Sequence, residues 1–127
     1  MGKKLTPDSI QNTLFYFHDA AHKYHLDTKS FAEHKALNKL YEGVQDFKDS
    51  ILEMLMGYLD GKRLGDLKGK DVPPYSHDNV IKLVDEIKEF ALDLYEWSES
   101  KKYCGVENAA QDLSGLAAKT RYMLTLS

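Results

Sequence analysis

The sequence predicts an all-α protein: a four-helix bundle with one long crossover between its second and third helices. Three observations lead there. Apolar residues recur at three- and four-residue intervals through four segments, and no strand-like alternation competes with them. Each segment is bounded by residues that start or stop helices. The links are unequal, with a few residues between the first two segments, a long glycine-punctuated stretch between the second and third, and a short link again before the fourth. At 127 residues the chain is expected to form one domain, residues 1–127, around a single core.

The first helix is predicted from about Pro7 to Leu26. Thr6-Pro7-Asp8 supplies a hydroxyl cap, a proline at the first helical position and an acid in the first turn. Ile10, Leu14, Phe17, Ala21 and Tyr24 or His25 form its inward stripe. The second helix runs from about Phe31 to Leu59. Ser30 and Glu33 have the spacing of a capping box, and Leu37, Leu40, Tyr41, Val44, Phe47, Ile51, Leu55 and Tyr58 make one apolar stripe. So short a link between these helices makes them antiparallel neighbours. Residues 60–75 then carry Gly61, Gly65, Gly69 and Pro73-Pro74, and read as a connection without regular structure. Connections of that length are uncommon in compact domains unless they cross a bundle or carry function. The third helix is predicted from about His77 to Tyr103, capped by Ser76 and closed by Gly105. Its buried face is Val80, Val84, Ile87, Phe90 or Ala91, and Leu94 or Tyr95. The fourth runs from about Glu107 to Leu126, with Ala110, Leu113, Leu116 or Ala117, Thr120 and Met123 or Leu124 inward.

Composition excludes several function classes. The net charge is −3 and the only basic feature at either end is Lys3-Lys4, which argues against a dedicated DNA- or RNA-binding surface. No apolar run reaches membrane-spanning length, and the N-terminal residues lack the apolar core of a signal peptide. The single cysteine, Cys104, cannot form an internal disulfide. The expectation is a cytoplasmic protein. No phosphate-binding glycine loop and no Ser/His/Asp or Cys/His nucleophile motif has its required context.

The residues that carry chemistry are His22, His34, Asp49 and Glu53. Two imidazoles with two carboxylates suit a divalent transition metal, namely iron, zinc or manganese, better than calcium. Asp49 and Glu53 are four apart and so point the same way, one turn apart, on a helix. His34 lies fifteen residues before Asp49 on the same helix, roughly 22 Å away at 1.5 Å per residue. One straight helix cannot close that gap. If the four residues share an ion, the histidines come from one chain and the carboxylates from another, which requires a homo-oligomer with at least a two-fold dimer. Secondary candidates lie nearby. His18 and His22 are four apart and could chelate an ion on one helix face. Asp19 lies three before His22 and could orient its ring. The plain alternative is that His22 and His34 are interfacial or capping histidines, and that Asp49 and Glu53 form a solvated acidic edge beside Lys48. Tyr41, Tyr58, Tyr95, Trp97, Tyr103 and Tyr122 read as core packing, and Cys104 as a buried thiol.

The stretch from His22 to Glu53 resembles the first two helices of Dps proteins, the miniferritins of the ferritin-like superfamily. His22, Phe31, His34, Leu37, Tyr41, Asp49 and Glu53 stand at matching places, and Asp112-Leu113 through Tyr122-Met123-Leu124 follows the family's last helix more loosely. The resemblance implies a ferritin-like bundle, an iron site between two-fold-related chains, and ferroxidase chemistry that removes Fe(II) with peroxide or oxygen. Two substitutions depart from the family's pattern. Lys23 stands where tryptophan is usual. Asn38 replaces an acid four residues after the second histidine, so that each site has one negative charge fewer and only a weak carbonyl ligand at that place. The basic tails of DNA-binding relatives are missing. The contrasting expectation is a bundle that kept the fold, lost the metal chemistry and binds a partner through Lys62, Arg63, Lys68 and Lys70 of the crossover.

Overall fold

The computed structural model describes residues 4–126, so Lys3 of the N-terminal lysine pair lies outside the described residues. Four helices are present: α1 Pro7–Asp27, α2 Phe31–Tyr58, α3 His77–Lys101 and α4 Cys104–Leu124, with no strand among the described residues. The all-α bundle with a long α2–α3 crossover is what the unequal links predict.

The helix starts follow local chemistry. At α1, Thr6 Oγ1 accepts the Ser9 N–H at 3.1 Å and Ser9 Oγ accepts the Thr6 N–H at 2.9 Å, satisfying two donors that the helix cannot pair internally. At α2 only half of the expected capping box forms. Ser30 Oγ accepts the Glu33 N–H at 3.1 Å, but the Ser30 N–H goes to Thr28 Oγ1, and the Glu33 carboxylate turns inward to partners described below. Ser76 caps α3 through the Asn79 N–H.

The end of α3 corrects a prediction. Lys102, not Gly105, takes the left-handed conformation that closes the helix, with φ 62°. That conformation costs a side-chain-bearing residue about 1–2 kcal/mol. It is offset by bonds from the Lys102 N–H to the Glu99 carbonyl and from the Tyr103 N–H to the Ser98 carbonyl, which satisfy the last turn. α4 therefore begins at Cys104, three residues earlier than predicted, and Gly105 sits in its first turn. A Cβ there would come within 2.7 Å of Met54 Sδ, and the Gly105 N–H donates to the Tyr58 hydroxyl at 3.0 Å. Lacking a side chain, Gly105 lets the start of α4 lie close against the end of α2. Cys104, at the end of the bundle, is exposed rather than buried.

The predicted stripes form the core: Ile10, Leu14, Leu37, Leu40, Val44, Ile51, Leu55, Val80, Ile87, Leu94 and Leu113 are all buried. The aromatic set divides. Tyr58 stacks on Tyr103 with ring centroids 4.3 Å apart, and Tyr41, Tyr95 and Trp97 are half-buried against the core. Tyr122 is exposed, because its flank of α4 faces away from α2 and α3. α1 packs closely on α2, α4 packs on both α2 and α3, and α1 meets α3 only thinly.

The crossover explains that thin seam. Asp8 Oδ1 accepts the Gly65 N–H, Gln11 donates to the Gly65 carbonyl, Asn12 Oδ1 accepts the Lys68 N–H, and the Tyr24 hydroxyl donates to the Pro73 carbonyl. Contacts at positions 8, 11, 12 and 24 in turn mean that residues 62–76 climb α1 from its start to its end as a strap. α3 thus begins at the end of the bundle where α2 also begins, and the two run in the same direction.

Candidate functional site

The strap and the short α1–α2 turn bring the end of α1, the start of α2 and the start of α3 together. Histidines gather in the α1–α2 seam. His22 stacks on Tyr41 with ring centroids 4.5 Å apart, and His25 stacks on His34 at 4.0 Å. His18 lies 6.0 Å from His22 and 5.9 Å from Tyr41. His25 and His34 also bond reciprocally to the backbone. His34 Nδ1 donates to the His25 carbonyl at 2.9 Å, and His25 Nδ1 donates to the His34 carbonyl at 3.2 Å. A carbonyl only accepts, so each Nδ1 carries the proton. In the neutral rings that leaves Nε2 as the bare, lone-pair nitrogen. The same arrangement, one ring nitrogen held by a carbonyl and the other free, orients metal-binding histidines.

The other predicted ligands are elsewhere. Asp49 and Glu53 are exposed, one turn apart on the outer flank of α2. Fifteen residues of unbroken helix separate Asp49 from His34, so the spacing of roughly 22 Å holds within one chain. Asn38 Nδ2 donates to Glu42 Oε1 at 3.3 Å. Asp19 lies 3.7 Å from His18 Nδ1, so its neighbour is His18 and not, as the sequence suggested, His22. Among the described residues, no three His, Cys, Asp or Glu side chains are gathered where one chain alone would hold a metal ion.

Sequence reasoning missed the most buried charged group. Glu33 is 1 % exposed. Its carboxylate accepts from the Tyr75 hydroxyl and, at 2.7 Å, from His77 Nδ1, and Thr28 adds a further bond. Burial pushes the Glu33 carboxyl up. The bonds from Tyr75, Thr28 and His77, with the charge on His77, outweigh that and hold it below the ordinary carboxylate value. Burial, followed by the bond to Glu33, pushes the Tyr75 hydroxyl up. The signal was present: Glu33 lies four residues before Leu37 and seven before Leu40, on the same stripe. An acid on a core stripe needs partners. His25 was equally legible as one more member of α1's inward face.

The fold and seam define a small all-α bundle with a histidine-rich end. Comparison then places the chain. A family of unknown function, DUF5856, matches residues 25–124, and the chain belongs to that family. The matched stretch includes Glu33, His34, Asp49, Glu53 and His77 and begins after His18 and His22. The chain is also similar to an "uncharacterized 14.6 kDa protein in mobD-ri intergenic region" of Enterobacteria phage T4. The two are 26% identical over 111 residues, which cover 87% of this chain and 78% of that protein. No solved structure matches. No helix among the described residues is long and apolar enough to cross a membrane.

Proposed function

We propose that the protein is a cytoplasmic, Dps-like iron-binding bundle that acts as a two-fold homodimer or a larger homo-oligomer and limits oxidative stress by withdrawing Fe(II). The reading rests on the donor geometry of His34. Its Nδ1 proton is held by the His25 carbonyl, so its Nε2 lone pair is available, while Asp49 and Glu53 stand exposed one turn apart. The donor set fits a divalent transition ion only when shared: His22 and His34 from one chain, Asp49 and Glu53 from its partner. Iron, when bound, supplies electrons to oxygen or peroxide. The chain's residues do the rest. The imidazoles bind as neutral ligands, Tyr41 backs the His22 ring, and the two carboxylates balance the ion's charge. Zinc and manganese suit the same donors.

Anaerobic Fe(II) titration by calorimetry, with light scattering for assembly size, tests this. Saturable binding at about one iron per chain, abolished in Glu53→Ala, is the expected result. No binding heat, or a Glu53→Ala titration matching wild type, overturns it.

One observation favours a second reading, an interaction module without metal chemistry: the strap presents cationic side chains to solvent among its glycines. In that case the exposed Lys62, Arg63 and Lys68 of the strap are the contact surface. The melting temperature would then be indifferent to chelator, whereas a bound metal stabilises by RT ln(1 + [L]/Kd).

A further inference from the structure

We propose that the cleft between α1, α3 and the strap binds a linear aliphatic amine with two or more ammonium groups. This site is separate from the histidine seam and does not depend on the metal reading. The cleft exists because α1 and α3 meet only thinly and the strap covers the gap without filling it, leaving a cavity of about 180 Å³.

Its surfaces specify the ligand. The floor is aromatic, made by Tyr16, Phe17 and Phe90, with Phe17 and Phe90 edge-to-face at 5.5 Å. One wall is acidic. Glu86, Glu89 and Asp93 of α3 all line the cleft. Spaced three and then four residues apart, they follow one flank of the helix, with rises of about 4.5 and 6 Å between them. Aromatic faces and carboxylates both attract cations.

The protein itself shows which cation fits. Lys70 of the strap sets its ammonium at the rim of the cleft, 4.4 Å from the centre of the Tyr16 ring and 3.9 Å from Glu86. A lysine side chain is a butylammonium, so the rim of the cleft already carries one alkylammonium group supplied by its own strap. A free diamine extends the pattern. Its methylenes lie on Phe17 and Phe90, one ammonium meets Glu89, and the other replaces Lys70 at Glu86. A purely apolar ligand would leave the acidic wall facing hydrocarbon, which is costly, and an anion would be repelled by Glu86 and Glu89.

The test is titration of the full chain with 1,4-diaminobutane, followed by calorimetry and by shifts in the ring NMR signals of Tyr16 and Phe90. Measurements are made at about 0.15 M salt, where diffuse surface attraction is screened. The expected result is saturable one-to-one binding, about tenfold or more weaker in Glu89→Gln and tighter in Lys70→Met, which removes the internal competitor. Glu89 is exposed, so its amide variant keeps the fold. Asp46→Asn, an exposed acid on α2, should leave binding unchanged. Absence of saturable binding overturns the proposal. So does equal weakening by Glu89→Gln and Asp46→Asn, which would mean that net charge alone attracts the amine. Weaker binding in Lys70→Met would overturn the competition.

Discussion

Replacing Glu33 tests whether the strap is locked to the bundle by one buried carboxylate. In Glu33→Ala the Tyr75 hydroxyl and His77 Nδ1 lose their shared acceptor, and a fully buried site loses most of its side chain. A hydrogen bond to a charged group is worth about 1.5–3 kcal/mol. The His77 bond is discounted because that ring is 53 % exposed and solvent screens it. Relief of the desolvation of the carboxylate offsets part of the remainder. A net loss of about 2–4 kcal/mol follows, near 10 °C in melting temperature for a chain of this size. Glu33→Gln keeps the shape and loses the charge, and should cost about half as much. Acid distinguishes the lock from simple packing. The Glu33 carboxyl is held below its ordinary value of 4.5. Its stabilisation is therefore present above that value and lost as pH falls through the lower value of the folded state. Melts followed by circular dichroism from pH 7 to pH 3 should show wild type and Glu33→Gln converging below about pH 4.5. A gap that stays constant to pH 3, or a Glu33→Ala variant within about 0.5 kcal/mol of wild type at pH 7, would refute the reasoning.

Other expectations follow from single features. Gly115→Ala lies mid-helix in α4 with nothing near its added methyl, and should raise stability by about 0.5–1 kcal/mol in urea melts. Ile87→Ala, at a fully buried position of α3, should cost about 2–5 kcal/mol in the same assay. Thr6→Ala removes the acceptor of the α1 cap and should cost about 1 kcal/mol. Cys104, being exposed, should react with a thiol reagent in the native protein as fully as in denaturant.

How much was legible in the sequence depended on whether the cause was local or brought by the fold. Periodicity located all four helices, because stripes such as Leu37, Leu40, Val44 and Ile51 report burial directly. The start of α4 was misplaced because a glycine after a helix resembles a stop signal. What decided Gly105 was instead its approach to Met54 and Tyr58, residues nearly fifty positions away. Half of the α2 capping box failed for a similar reason: Glu33 had a local partner in the Ser30 N–H but found stronger ones in Tyr75 and His77, which only the strap brings within reach. The separation of His34 from Asp49 was fully legible, since helix rise alone sets it. The stacking of His25 beneath His34 was not, because it depends on how closely the α1–α2 turn folds back.

The fold also sorts the chain's charge in a way that bears on the proposed pairing. All five histidines belong to the end and flank where the close of α1 and the starts of α2 and α3 converge. Lys35 and Lys39 lie in the first half of α2, whereas Glu42, Asp46, Asp49 and Glu53, with Lys48 as the one base among them, occupy its middle and second half. This order runs against the helix macrodipole, which favours acids at the start and bases at the end. α2 indeed has no basic residue in its last turn. Within one chain the exposed acids gain little from this placement beyond the bond that Glu42 accepts from Asn38. Between two chains whose α2 helices lie antiparallel, they would face the lysines and histidines of the other copy, the arrangement that the shared metal site requires. Salt should therefore weaken association even without metal, while acid should weaken metal binding more than association. Protonated imidazoles cannot ligate an ion, yet in such a pair they would still attract Asp49 and Glu53.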